Sequence, residues 1–298
     1  MTGDLFAVAS AACFAVANIT IVRGAAPGDD DNGAFLSLMV TAVIAGAGWA
    51  ILGATRGLEP VTGRAFLWFA AAGFFTMFIG RVFLYASIQR LGAMRGSAVK
   101  RFNPFFAVLL GVLVLGEQLS GPMLLGVALI LASFALLVHG SFARRESAAP
   151  MPAHGAGYTL GILSGLGYAT GYLFRKMGLA DAPDPWLGAA VGALFGALVF
   201  ALTAGFSDRY ARALRAAFRR PNPWLLAAGV LSSFGQVFYF AALETSPISR
   251  VALIVSMEVF VTLALGALLL RKHESLTIPV ALAAALGVAG TACIVAGP

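Results

Sequence analysis

Residues 81–115, RVFLYASIQRLGAMRGSAVKRFNPFFAVLLGVLVL, recur in weaker form as residues 236–270, QVFYFAALETSPISRVALIVSMEVFVTLALGALLL. At one constant offset Val82 meets Val237, Phe83 meets Phe238, Ala86 meets Ala241, Arg95 meets Arg250, Phe105 meets Phe260 and Gly111 meets Gly266. Two residues slip in. The match then resumes with Glu117, Leu119, Ser120 and Pro122 against Glu274, Leu276, Thr277 and Pro279. Matches of Ala, Leu, Val and Gly arise readily by chance in an apolar chain, whereas Arg, Phe, Glu and Pro at a steady offset do not. A duplication fixes the architecture, because each copy must adopt the same arrangement of elements.

The copies are too apolar for water. The chain is 60% hydrophobic and 11% charged, whereas a soluble domain carries roughly 25% charged residues. It reads as an integral membrane protein. The start, MTGDLFAV, lacks the basic segment of a signal peptide, so it reads as the beginning of a membrane helix. Cys13 and Cys293 sit in apolar runs and read as small hydrophobes. The net charge of +7 is no nucleic-acid footprint, because the arginines fall between apolar runs.

A spanning helix needs about 20 mostly apolar residues. Ten such spans are read: 5–22, 34–54, 65–88, 97–115, 122–138, 157–173, 185–204, 223–243, 247–270 and 276–296. Residues 1–139 form the first five, 140–156 a linker with Pro150 and Pro152, and 157–298 the second five. Span 1 matches span 6 through Ser10 with Ser164, Phe14 with Tyr168 and Ala15 with Ala169. Five is odd, so the second copy enters the membrane from the opposite side. The expected fold is all-α, with two inverted five-helix repeats. With the N-terminus outside, the inside loops hold Arg23, Arg90, Arg95, Arg144, Arg145, the Arg209, Arg212, Arg215, Arg219 and Arg220 run, Arg271 and Lys272. The outside loops hold only Arg56, Arg64, Arg175, Lys176 and Arg250. The positive-inside rule therefore places both termini outside. The 209–220 run reads as an amphipathic, interfacial segment.

Polar residues within spans are costly and default to a functional reading. Glu258 falls near mid-span as a proton acceptor, a partner for a substrate ammonium, or a structural partner of Arg81, Lys100 or Arg101. Lys100, Arg101, Asn103 and Pro104 share the first half of span 4. Pro104 removes an N–H there, which predicts a kink beside a cavity. The repeat puts Asn103 at the depth of Glu258, and Arg81 at that of Gln236. Arg81 suits a carboxylate, with Tyr85 on its face, as Tyr239 is on that of Gln236. Asn18, Tyr168, Tyr172 and Trp68 are weaker candidates. Trp68, Trp186 and Trp224 near span ends read as interface anchors. Gly188, Gly192 and Gly196, and Gly161 with Gly165, read as close helix packing and as weak evidence for a dimer. There is no HExxH, GxSxG, P-loop or CxxC. His139, His154 and His273 do not cluster, so neither an enzyme nor a metal or cofactor site is expected.

Ten helices in two fives, Gly92–Lys100 ending in Ser-Ala-Val-Lys, Asn-Pro-Phe-Phe-Ala at 103–107 and Leu-Gly-Glu-x-Leu-Ser at 115–120 resemble the drug/metabolite transporter superfamily, EamA type. The second half departs from the pattern at Ser246-Pro247-Ile248 and Arg271-Lys272-His273-Glu274. The resemblance implies a secondary transporter, commonly an exporter of amino acids, nucleosides, sugars or cationic drugs. Several relatives export aromatic and other apolar amino acids. It also implies a central cavity formed by spans 1, 3, 4, 6, 8 and 9, with spans 5 and 10 peripheral. Many members are drawn with both termini in the cytoplasm, opposite to the charge rule here. The leading expectation is an inner-membrane exporter of small amphipathic metabolites, aromatic or apolar amino acids first. The alternatives are a lipophilic-cation exporter and a non-transporting scaffold. Proton coupling through Glu258 and uniport stay open, as do monomer and homodimer.

Overall fold

Apolar, Ala- and Leu-rich runs close into helices along most of the chain. The computed structural model describes residues 2–24, 33–57, 61–84, 87, 102–143, 154–219, 222–269 and 278–296, and no strand occurs among them. The helices are α1 (Thr2–Gly24), α2 (Ala34–Arg56), α3 (Gly63–Gly73), α4 (Asn103–Leu115), α5 (Gly121–Ala143), α6 (His154–Asp181), α7 (Pro185–Ala204), α8 (Asp208–Arg219), α9 (Pro223–Thr245), α10 (Ile248–Val255), α11 (Glu258–Leu269) and α12 (Ile278–Ala296). α3 runs on through a π-helical stretch, Phe74–Gly80.

Six stretches are long and apolar enough to cross a membrane: Thr2–Ile21, Ala34–Thr55, Gly63–Leu84, Pro185–Ala204, Pro223–Thr245 and Ile248–Gly266. Shorter apolar helices cover Asn103–Leu115, Gly121–Leu136 and Ala281–Ala296. Large apolar side chains such as Leu5, Leu113 and Val43 face outward, 69%, 71% and 66% exposed. Water would reject so much exposed apolar surface, and lipid accepts it. The chain is a multi-pass membrane protein.

Local chemistry starts several helices. Asp184 accepts from the Trp186 and Leu187 amides, with Pro185 in the first turn of α7. Asn222 accepts from the Trp224 amide ahead of α9, which also opens with proline. These polar side chains satisfy donors that a helix start leaves orphaned, and proline has none to orphan. α8 carries alternating arginines. Its Tyr210, Ala213, Leu214 and Ala217 pack against a cluster of Phe35, Leu38 and Phe200, while Arg212 and Arg215 stay exposed. This is the amphipathic helix read from residues 209–220.

Small residues let the helices meet closely. α1 packs on α9, α3 and its π stretch on α6, α2 on α7, α5 on α12, and α4 on α10 and α6. Ala7, Ala15, Ala45, Ala169, Ala242 and Ala283 are fully buried. A Cβ on Gly73 would sit 2.4 Å from the Gly192 carbonyl oxygen, and one on Gly126 would sit 2.6 Å from that of Gly290. The Gly188, Gly192 and Gly196 stripe therefore packs within the chain, against Phe69, Gly73, Met77 and Phe240. As evidence for a dimer it falls away.

Three sequence expectations change. Span 6 does not stop at residue 173: α6 continues to Asp181, so Arg175 and Lys176 lie within a helix rather than in an outside loop. Pro104 does not kink a continuing helix among the described residues. It occupies the first turn of α4, where its missing N–H leaves nothing unsatisfied. Span 9 is interrupted at Ser256–Met257, and Glu258 opens α11 instead of lying inside one long helix. Ser256 Oγ donates to the Leu253 carbonyl (2.6 Å) and the Met257 amide reaches Ile254 O (3.1 Å). The tightened turn interrupts the α-helical hydrogen-bond ladder without any proline. Arg250 likewise sits within α10 rather than in a loop.

Candidate functional site: a charged aromatic centre between the halves

Two regions gather polar groups inside the bundle. The first is a cavity of about 180 Å³ lined by Ile21, Ser37, Arg81, Tyr168, Leu225 and Ser232, among others. The π stretch ends at Gly80, immediately before Arg81. The Arg81 guanidinium donates to the Ala34 carbonyl (3.3 Å) and reaches Met77 Sδ (3.8 Å). α2 contributes to this wall, which the family resemblance did not imply. No residue of α4, α10 or α11 is among those lining it. Tyr168 is held against Gly80, where a Cβ would come within 2.9 Å of its ring.

The second region is the aromatic centre. Tyr172 and Tyr239 stack with centroids 4.6 Å apart, and Asn103 Nδ2 donates to Tyr172 Oη at 3.4 Å. Arg175 lies beside them, 3% exposed. Its guanidinium carbon is 4.7 Å from the Phe240 ring, 5.4 Å from Tyr172 and 5.5 Å from Tyr239. A cation over aromatic faces is attracted by their quadrupoles, which offsets part of its burial cost. Gln236 and Arg175 share a small cavity with Thr41, Thr76 and Phe240, and Glu258 acts electrostatically on Tyr239.

The candidates from sequence thus divide. Asn103, Gln236, Tyr239 and Glu258 converge on the centre, whereas Arg81 and Tyr168 line the larger cavity. Asn18 stands apart from both, its amide donating to Thr262 Oγ1 (3.4 Å). Tyr85 and Lys100 lie outside the described residues. Arg175 was missed because the Arg-Lys pair reads as a loop marker. The signal that finds it is the apolar Met177 and Leu179 continuing beyond the pair. Among the described residues no group of metal-ligating side chains forms.

One end of the bundle is tied across the halves. α4 stops at Gly116, which takes the left-handed conformation (φ 67°). The Glu117 amide then closes back on the Gly111 carbonyl at 3.0 Å, a glycine-dependent helix stop. This turns the Glu117 carboxylate onto the start of α10. It accepts from the Ile248 amide (2.6 Å), the Ser249 amide (3.1 Å) and the Ser249 hydroxyl. A carboxylate at a helix N-terminus meets orphan N–H groups and the positive end of the dipole. Nearby, Arg250 pairs with Asp4 through Nε (2.7 Å) and Nη2 (2.9 Å). Lys176 Nζ donates to Leu243 O (2.6 Å) and Ser246 O (3.0 Å) at the end of α9. Arg64 forks onto Asp181, with Nε at 2.7 Å. That guanidinium holds the Asp181 carboxyl below the usual carboxylate range. At the opposite end Asn222 Nδ2 donates to Gly24 O (2.9 Å) and Arg23 lies over Trp224 (5.2 Å).

Comparison with known proteins agrees with this arrangement. A solved crystal structure of an unspecified protein matches at a TM-score of 0.72 and 17% identity, covering 99% of this chain and 98% of that one. At that identity the likeness shows the fold alone. No curated protein matches significantly. The model of the EamA-like transporter family matches residues 1–139 and 155–296. The chain therefore belongs to the EamA-like transporter family, of the drug/metabolite transporter kind, whose members are membrane transporters and not enzymes.

Proposed function

We propose that the chain is a secondary transporter that exports small amphipathic metabolites, aromatic or apolar amino acids first, across a bacterial inner membrane by alternating access. The observation that carries this reading is the pair of interrupted helices. α4 opens at Asn103 and α11 at Glu258, positions that the internal repeat makes equivalent. Both bring polar groups to the stacked Tyr172 and Tyr239. Discontinuous helices at a repeat interface are a common way to build a transporter's binding site.

The ten-span inverted repeat has support of its own. Ser10 Oγ donates to Gly235 O (2.8 Å), and its repeat partner Ser164 donates to Gly80 O (2.6 Å). Gly80 and Gly235 are themselves one repeat apart. The pairings α1 with α9 and α6 with α3 are exchanged by the same operation, and those of α2 with α7 and α5 with α12 map onto themselves. The two matched family segments flank the linker. With Arg175 and Lys176 inside a helix, the positive-inside difference widens in favour of external termini. The ties of Glu117, Arg250 and Arg64 then close the outer end.

A lipophilic-cation exporter is disfavoured by the buried guanidinium of Arg175, which repels a second cation. The test is counterflow in proteoliposomes loaded with phenylalanine. Labelled phenylalanine should accumulate, and flux of methyltriphenylphosphonium alone would replace this reading with the cation exporter. Glu258→Gln decides coupling: a pH profile of flux unchanged from wild type removes proton coupling through this residue.

A further inference from the structure

Arg175 poses a problem that its own surroundings do not solve. Its charge is permanent, and it lies 3% exposed in a bundle that spans lipid, where an uncompensated charge is expensive. Among the described residues no carboxylate lies within ion-pair distance of it. Three rings face it, but rings do not satisfy the directed N–H donors of a guanidinium. Its Nε has no hydrogen-bond acceptor. Beside it, Gln236 Oε1 and Tyr239 Oη are also buried without partners. Three such atoms in one place are unusual, because buried polar atoms are overwhelmingly paired.

Space and access complete the picture. The cavity shared by Arg175 and Gln236 has a volume of about 10 Å³, room for about one water molecule. Tyr168, Tyr172 and Arg175 follow one another on one face of α6. Tyr168 lines the Arg81 cavity, so the ladder leads from that cavity to Arg175 over roughly 10 Å of helix. Electrostatic coupling of Arg175 to Tyr168, Tyr172 and Tyr239 follows the same line.

We infer that Arg175, with the Tyr239 hydroxyl and the Gln236 amide beside it, is an anion subsite that takes the carboxylate of the transported molecule. A carboxylate accepts two parallel bonds from a guanidinium, and the Tyr239 hydroxyl supplies a further donor. The Gln236 amide turns its NH₂ toward the ligand. The subsite opens from its one-water volume when the occupant enters from the Arg81 side. This inference rests on the transporter reading and assigns its substrate class: molecules with one carboxylate on an aromatic or apolar body.

The test is thermal unfolding of the purified full-length chain in detergent with phenylalanine, benzoate, phenylalaninamide or phenethylamine. Binding to the folded state raises the melting point by mass action. Phenylalanine and benzoate should stabilise, and the two compounds lacking a carboxylate should not. Arg175→Gln should abolish the difference. Arg175→Lys, which keeps the charge but loses the fork, should weaken carboxylate binding at least about tenfold and stands in if the Gln variant fails to fold. Equal stabilisation by phenylalanine and its amide, no stabilisation by either carboxylate, or a carboxylate effect that survives in Arg175→Gln each overturn the subsite. Counterflow of the same compounds separates the two readings. Flux without carboxylate preference overturns the subsite and leaves the transporter standing. Carboxylate-dependent stabilisation without flux supports the subsite and counts against the transport reading.

Discussion

Glu117→Gln is the most informative perturbation of the closed end. The glutamine keeps the side-chain length and one acceptor oxygen, but it loses the charge and presents an NH₂ where an oxygen stood. In the native chain the carboxylate accepts three bonds, from the Ile248 amide, the Ser249 amide and the Ser249 hydroxyl. Hydrogen bonds to a charged group contribute about 1.5–3 kcal/mol, neutral ones about 0.5–1.5. The change therefore costs roughly 1 kcal/mol per bond. Loss of the charge at the α10 N-terminus adds about 0.5 kcal/mol. A total near 3 kcal/mol lowers the melting point by roughly 6 °C for a chain of this size. Hydrogen exchange at Ile248 and Ser249 gives the local readout: both amides should exchange faster in the variant, while those of α5 and α12 should not. Ser249→Ala in the Glu117→Gln background should add less than it does in the wild type, since the two share a bond. An unchanged melting point with unchanged exchange at Ile248 and Ser249 refutes the account of Glu117 as the cap of α10.

Three further outcomes follow from the same contacts. Asp4→Asn weakens the Arg250 fork and should raise solvent labelling of cysteines placed at the α1–α10 seam; labelling equal to wild type argues against closure by this pair. Gly126→Leu should lower the melting point or prevent folding, because its side chain meets the Gly290 carbonyl, and a wild-type melting curve would refute that crossing. For Asp181 the folded pKa is depressed by Arg64, so the stabilisation is present above the ordinary carboxylate pKa of about 3.9 and is lost as pH falls through the lowered folded value. Asp181→Asn should thus melt below wild type at neutral pH and level with it in acid, and a difference that persists in acid refutes the pairing.

The repeat in the sequence carried much of this structure. It made Asn103 equivalent to Glu258, and both open a helical segment. It matched Ser10 to Ser164, and both donate to glycine carbonyls one repeat apart. Arg175 escaped because hydropathy reads a charged residue as the end of a span. What holds it in the interior is the faces of Tyr172, Tyr239 and Phe240, two of them from α9, far along the chain. Pro104 escaped for a related reason: proline ends or begins a helix with equal chemistry, and only the surrounding backbone decides which. The interruption at Ser256–Met257 left no mark in composition, since it uses a serine bonded to its own preceding turn. The Glu117 contact was half legible. Gly116 and Glu117 announced a turn, but the helix the carboxylate would cap could not be read from a turn alone.

The π-helical stretch Phe74–Gly80 has a consequence for how this protein tolerates change in length. A π turn takes up more residues than an α turn, so the segment accommodates an insertion without breaking the helix. Removing one residue there would let the backbone relax to a regular α-helix and keep its apolar surface. Everything after the deletion would then be turned by on the order of 100° relative to α3, and Arg81 would leave the cavity wall. Such a deletion should yield a chain that inserts and folds but carries a defective cavity. At this point the spacing of the residues, and not their chemistry, decides whether the wall is charged.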